Sequence, residues 1–142
     1  MLRRGEGPAV ETVLHELVHA TVFVDGDADL NESAASFIGE EASVEFFRSD
    51  PKKARQRRGE VNESRAIRAE ILGFRKQIEA RYAGSKTAGP DLLPEPREAL
   101  EEAFRERLKA LPLSFREPEQ VARYARLNDA CLALTGTYYS DL

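Results

Sequence analysis

Apolar residues recur every three or four positions along most of the chain, which is the spacing of amphipathic helices. The first such segment runs from Pro8 to Val24, and the turn-favouring stretch DGDAD follows it. A second segment begins near residues 29–31 and ends at Asp50, because the residue before Pro51 is disfavoured in helical geometry. The residues expected to face a core are Val10, Val13, Leu14, Leu17, Val18 and Val22 in the first helix, and Leu30, Ala34, Phe37, Ile38, Val44 and Phe47 in the second.

A long charged helix is predicted from about Lys52 to Tyr82. Its narrow apolar stripe has spacings of four and three and consists of Ile67, Ile71, Phe74, Ile78 and Tyr82. We expect this stripe to lie in the core, with a docking face for a protein partner as the alternative. The basic run KKARQRR, at residues 52–58, is interpreted as the solvated start of the same helix.

Two further helices are predicted after the loop AGSKTAGPDLLPEP. One runs from about Pro96 to Ala110, and its apolar side consists of Leu100, Phe104, Leu108 and Leu111. The other starts around Pro118, a residue suited to a first helical turn, and continues with interruptions to Gly136. No segment alternates with a period of two, so we expect a mainly α fold of about five helices.

Length and composition limit what the chain can be. Its 142 residues suggest a single domain over residues 1–142, and 42% apolar with 32% charged residues argues against disorder and against a membrane span. No apolar segment follows the start MLRRGEGPAV, so we expect no signal peptide in the chain as given, which would be cytoplasmic as such, and the localisation of the protein stays open. A net charge of −4 gives no basic field for nucleic acid. The oligomeric state stays open.

The sequence indicates no catalytic or disulfide-forming role for the single cysteine. Cys131 lies in the apolar run ACLALTG, where a small buried side chain is the expected role.

The first predicted helix contains the pattern HELVH. His15 and His19 are four residues apart, so both imidazoles can point at one metal ion. Glu16 lies at the edge of the same face, where its carboxylate can reach an attacking water without binding the metal. A catalytic zinc takes three protein ligands, and this pattern supplies two of them.

The third ligand has to be something other than histidine, because the chain contains two histidines. Glu32 opens the next helix, and an antiparallel pairing would return it to the face of His15 and His19. The alternative is a capping box, in which Asp29 caps the helix and Glu32 turns back to its start. Beside HExxH, the ligand interpretation is favoured. Asn31 lies next to Glu32 in the sequence and is a candidate for orienting the metal ligands by hydrogen bonds without binding the metal itself.

Two segments resemble a known family. HELVHATVFVDGDADLNESAASFIGEE and LNDACLALTGTYY are similar to signatures of the bacterial "putative aminopeptidase" family, a branch of the gluzincin zinc metallopeptidases. The resemblance implies a helical zincin-like domain that cleaves peptides with a zinc ion. It implies zinc binding by His15, His19 and Glu32, with Glu16 as general base.

The second segment adds candidates near the end of the chain. By analogy with related enzymes, Tyr138 would stabilise the tetrahedral oxyanion, and Tyr139 is the competing candidate. Asn128 also matches the segment, and we expect a packing or capping role for it rather than a direct role in the site.

The chain departs from the family in length. Members are usually longer, often exported or lipid-anchored, and gluzincins generally have a β-sheet before the HExxH helix. Here we expect most or all of that sheet to be lacking, and the chain resembles the helical, metal-carrying part of such a peptidase. The alternative function is a catalytically incomplete zinc-binding module, or a fragment that needs a missing N-terminal part.

Overall fold

The computed structural model describes residues 5–87 and 96–135. Its helices are α1 (Glu6–Thr21), α2 (Ala28–Phe46), α3 (Pro51–Thr87), α4 (Arg97–Lys109), α5 (Pro118–Val121) and α6 (Asp129–Thr135), with a 3₁₀ helix at Ala122–Arg126. No strand occurs in the ranges that the structure describes. The mainly α fold predicted from the sequence is confirmed. No helix within these ranges is long and apolar enough to cross a membrane.

The last predicted helix is broken into three pieces. Pro118 occupies the first turn of α5, as its fixed φ favours. The 3₁₀ helix follows, and Leu127 then adopts an extended backbone that ends it. Asn128 starts α6 by accepting a hydrogen bond from the Cys131 amide at 2.9 Å. Gly136, the predicted end of this segment, lies outside the described residues.

The described chain forms two compact units, divided between Asn62 and Glu63. We call the residues up to Asn62 unit 1 and those from Glu63 to Thr135 unit 2. The long helix α3 contributes residues to both. The expectation of one domain over residues 1–142 stays a prediction.

Unit 2 is built on an apolar core. Phe74 of α3 and Phe104 of α4 stack with ring centroids 4.4 Å apart and an interplanar angle of 10°. The buried members of this core are Ile67, Ile71, Phe74, Ile78, Phe104, Leu108, Val121, Ala125 and Leu132. The α3 stripe therefore lies in the core, as predicted, except for Tyr82, which is 45% exposed.

Tyr82 belongs instead to a polar cluster that joins α3, α4 and α6. Its hydroxyl donates a hydrogen bond to Asp129, and the Arg97 guanidinium donates to the same carboxylate and to the Leu127 carbonyl. The hydrogen bond from Tyr82, together with the one from Arg97 and the positive charge of its guanidinium, lowers the pKa of Asp129. The same hydrogen bond to Asp129 raises the pKa of Tyr82.

The prediction that Cys131 is buried is wrong, because its side chain is exposed. Leu132 is the buried residue of this turn, at 2% exposure. Neighbouring residues on a helix point in directions about 100° apart, so burying Leu132 leaves Cys131 in solvent.

Unit 1 pairs α1 with α2 through small and polar side chains. The buried residues of α2 are Asn31, Ala35, Ser36, Gly39, Glu40 and Ser43. Several apolar residues expected in the core are exposed instead, namely Leu30, Phe37 and Ile38 on α2, Val13 and Leu17 on α1, and Val22 after it. The predicted faces of these helices were therefore partly wrong, because small residues rather than large apolar ones form the contact.

Gly39 shows how close the two helices approach. A Cβ at this position would lie 3.2 Å from the Glu11 carbonyl oxygen and 3.3 Å from the His15 amide nitrogen. Since those atoms belong to the α1 backbone, a side chain here would push the helices apart. Glycine thus sets the spacing of α1 and α2 at the level of His15.

The basic run at residues 52–58 is not wholly solvated, because Arg57 is 4% exposed. Its guanidinium donates to Ser43 Oγ at 2.8 Å, to Glu60 at 3.2 Å, and to the Glu11 carboxylate. These partners satisfy the buried charge. Arg57 thereby connects α1, α2 and α3 within unit 1.

Candidate metal centre

Helix α1 places His15 and His19 one turn apart on one face. Their Nε2 atoms are 3.1 Å apart, and the two ring planes make an angle of 77°. The side chains are 21% and 23% exposed, so water still reaches both rings. Two imidazole nitrogens of the HExxH pattern therefore point at the same position.

Glu32 of α2 approaches the same position. One carboxylate oxygen lies 3.4 Å from His15 Nε2 and the other lies 3.4 Å from His19 Nε2. The structure thus brings together the three residues that the sequence suggested as ligands, and their donor atoms all lie within 4.8 Å of one another. We call this group the His–His–Glu cluster.

The capping box proposed for Asp29 and Glu32 is wrong. Asp27 caps α2, and its carboxylate accepts a hydrogen bond from the Leu30 amide at 3.0 Å. Asp29 lies inside the first helical turn, and Glu32 is a full turn from the cap. Glu32 is therefore not needed at the helix end, and its carboxylate faces the histidines.

The connection from α1 to α2 is held by Asn31. The Asn31 side chain accepts from the Val24 amide at 2.8 Å and donates to the Val24 carbonyl at 2.7 Å. Gly26, with φ of 80°, makes the turn in a backbone conformation that suits glycine. The sequence suggested that Asn31 orients the metal ligands. In the structure, its side-chain hydrogen bonds to Val24 hold the connection between α1 and α2.

Ser36 is a contact that the sequence reasoning missed. Its buried hydroxyl lies 3.5 Å from His15 Nδ1, at the outer limit of a hydrogen bond. When Nδ1–H donates to this oxygen, Nε2 keeps its lone pair directed at the cluster. The available signal was spacing, because Ser36 follows Glu32 by four residues and so shares its helix face.

The donor set has the residue types and the spacing that could hold a bound cation. Ligand atoms about 2.0–2.1 Å from a tetrahedral zinc lie roughly 3.3 Å from each other. The two Nε2 atoms are 3.1 Å apart, and each lies 3.4 Å from a different oxygen of the Glu32 carboxylate. The two longer separations exceed the usual length of an N–H···O hydrogen bond, about 2.7–3.2 Å. Two imidazoles with one carboxylate suit borderline divalent metals such as zinc.

The remaining candidates are Glu16, Asn128 and the two tyrosines near the end of the chain. Glu16 is exposed on α1, at the flank of the histidine face. Asn128 belongs to unit 2 and caps α6, which is the role expected for it. Tyr138 and Tyr139 lie outside the described residues, so the oxyanion role stays a prediction.

An open depression adjoins the His–His–Glu cluster. It has a volume of about 570 Å³, and His19 and Glu32 form part of its lining. The rest of the lining consists of Phe23, Gly26, Asp27, Ala28 and Asn31. Two of the three donor residues thus open into a space large enough for part of a ligand.

The fold and the cluster together define a helical protein with a candidate metal centre between its first two helices. The family model described as "Putative aminopeptidase" matches residues 1–142. The chain therefore belongs to this family, in agreement with the resemblance of its two segments. Neither the comparison with curated proteins nor that with solved structures gave a match.

Proposed function

We propose that this protein is a zinc-dependent metallopeptidase of the gluzincin type that removes amino-terminal residues from peptides. The observation that carries the proposal is the convergence of His15, His19 and Glu32, whose donor atoms, one from each residue, all lie within 4.8 Å of one another. Membership of the aminopeptidase family supports the same reaction class.

Each residue then has a separate task. His15, His19 and Glu32 would hold the zinc, which when bound would supply Lewis-acid polarisation of the peptide carbonyl and activation of a water. The Glu16 carboxylate accepts a proton from the attacking water and passes it to the leaving amine. Ser36 keeps His15 in the orientation and tautomer that this set requires.

The charge of the depression favours an amino-terminal over a carboxyl-terminal substrate end. Its acidic lining residues are Asp27 and Glu32, and none of the described lining residues is lysine or arginine. With Glu32 bound to the metal, Asp27 is the carboxylate among these lining residues that can attract the ammonium group of a peptide's first residue and repel a terminal carboxylate. This supports aminopeptidase rather than carboxypeptidase action.

Elemental analysis of purified variants, combined with peptide hydrolysis, tests the proposal. We expect stoichiometric zinc in the wild type and its loss in His15→Ala and His19→Ala. Glu16→Gln should keep zinc and lose at least about 100-fold in kcat, because it removes the base but no ligand. Glu98→Gln, at an exposed position of α4, is the matched control and should change neither property. A wild type that cannot take up zinc contradicts the proposal.

The alternative is a zinc-binding helical module that lacks catalysis and needs a further polypeptide part. It is favoured by Val13 and Leu17, which lie one turn apart on the histidine-bearing helix and are 60% and 54% exposed. Another chain segment could cover this apolar surface. Zinc binding without cleavage of any peptide, and with no effect of Glu16→Gln, would decide for this alternative.

A further inference from the structure

The depression beside the His–His–Glu cluster has an apolar side formed by the connection between α1 and α2. Phe23 lies on this connection, and Gly26 and Ala28 continue the lining towards Asp27. Because Gly26 and Ala28 carry almost no side chain, the Phe23 ring is the one large apolar group among the described lining residues.

Phe23 is 68% exposed, although its neighbourhood is well anchored. The two hydrogen bonds between Asn31 and the Val24 backbone hold the next residue, and the Asp27 cap holds the start of α2. A single exposed aromatic is ordinary on a protein surface. Here it lines a space shared with two candidate metal ligands, where an apolar ligand group would cover it.

We propose that Phe23 forms the subsite for the side chain of the substrate's first residue, and that this side chain is large and apolar. The proposal rests on the proposed aminopeptidase function, and it names the substrate class: peptides that begin with leucine, methionine or phenylalanine. The ammonium group of that residue lies near the Asp27 carboxylate, and its side chain packs on the Phe23 ring.

Size selection follows from the contact area. An added methylene in an apolar subsite changes kcat/KM by about 10–200-fold, with open subsites at the low end. The depression is open to solvent on one side, so we expect the wild type to prefer leucyl over alanyl substrates by at least about tenfold. A charged first side chain would lose its hydration against the Phe23 ring and is disfavoured.

Kinetics on leucyl, phenylalanyl, alanyl and glutamyl amides test this preference. We expect Phe23→Ala to lose the preference for leucine over alanine while zinc content stays unchanged, and Phe23→Leu to retain most of it. Phe46→Ala is the matched control, because Phe46 is 61% exposed and lies about 21 Å along α2 from Glu32. Equal effects of Phe23→Ala and Phe46→Ala overturn the subsite.

Binding provides a readout that does not depend on turnover. In NMR titrations of the zinc-loaded protein, leucinamide should shift the resonances of Phe23 and Ala28 and bind at least about tenfold more tightly than glycinamide. Phe23→Ala should remove this difference. Equal binding of leucinamide and glycinamide overturns the subsite proposal but does not contradict the proposed zinc peptidase function. A wild type without zinc overturns the proposed function itself, so elemental analysis separates the two failures.

Discussion

At the scale of single residues, the role of Glu32 depends on which side chain caps α2. Asp27 accepts the hydrogen bond from the Leu30 amide, so the helix start is satisfied without Glu32. The Glu32 carboxylate instead lies 3.4 Å from both imidazoles. Cap and candidate ligand are thus separate residues, and substitutions can separate their effects.

We expect Glu32→Ala and Asp27→Ala to have opposite consequences. Glu32→Ala should weaken zinc binding by more than the roughly 10–100-fold that loss of an outer-shell partner costs. It should change the free energy of unfolding of the metal-free protein by less than about 0.5 kcal/mol. Asp27→Ala should cost about 1 kcal/mol of stability and leave zinc in place. Zinc titration measures the affinity, and urea unfolding measures the free energy of unfolding. Retained zinc in Glu32→Ala contradicts the ligand role.

Ser36 should matter through His15 alone. Removing its hydroxyl in Ser36→Ala leaves the imidazole free to rotate, so we expect about a tenfold loss of zinc affinity, the low end for such partners. The 3.5 Å separation from Nδ1 is the reason for choosing the low end. Competition with a chromogenic chelator measures the affinity. Ser49→Ala, at an exposed position after α2, is the control, and an equal loss there contradicts the role of Ser36.

At the scale of the helices, the α1–α2 contact sets the metal centre, because two of its residues come from α1 and one from α2. The buried residues of α2 are small or polar, and Gly39 lies directly against the α1 backbone at His15. Close backbone approach fixes where Glu32 meets the histidines. The apolar residues of both helices are left partly exposed as a result.

Gly39→Ala and Gly73→Ala form a matched pair of helical glycine substitutions. At Gly39 the added methyl meets backbone atoms at 3.2–3.3 Å, so the helices must separate by a few tenths of an ångström. We expect a net destabilisation of about 1–3 kcal/mol and weaker zinc binding. At Gly73 nothing lies within 4 Å, and alanine should stabilise α3 by roughly 0.5–1 kcal/mol. Thermal unfolding tests both, and a stabilised Gly39→Ala contradicts the close-contact account.

At the scale of the whole molecule, the two units rely on different contacts. Unit 2 buries large apolar residues such as Phe74, Phe104 and Leu108. Unit 1 has buried Arg57 with its partners Glu11, Glu60 and Ser43, and a small-residue helix contact. Apolar burial contributes less in unit 1, so a bound metal would contribute a larger share of its stability.

Metal binding should therefore protect unit 1 from hydrogen exchange. At a free zinc concentration of 100 times its Kd, binding adds about 2.7 kcal/mol, so amides of α1 and α2 that exchange by opening of the cluster should slow by about 100-fold. Mass spectrometry of peptides from the two helices measures the rates. His19→Ala should show no zinc-dependent slowing, and unchanged rates in the wild type at that concentration would contradict metal binding at the cluster.

Much of the fold followed from the sequence because periodic apolar residues identify helices wherever they are buried on one side. The stripe on α3, apart from Tyr82, and the apolar side of α4 were predicted correctly, since large residues such as Phe74 and Phe104 pack in unit 2. The pattern failed where small residues make the contact, because Ala35, Ser36 and Gly39 have little hydrophobic signal. Burial of Arg57 was also unforeseen, because its partners come from three helices.

For the candidate site, local spacing in the sequence determined which residues could bind a metal: HExxH places two imidazoles on one helical turn. Only the tertiary structure decided between the two interpretations of Glu32, because that choice depends on the cap of α2 and on the angle at which α2 returns to α1. The same return brings Ser36 to His15 and places Phe23 beside the centre. The spacing of His15 and His19 is determined within one helix, whereas these contacts depend on how α2 packs against α1.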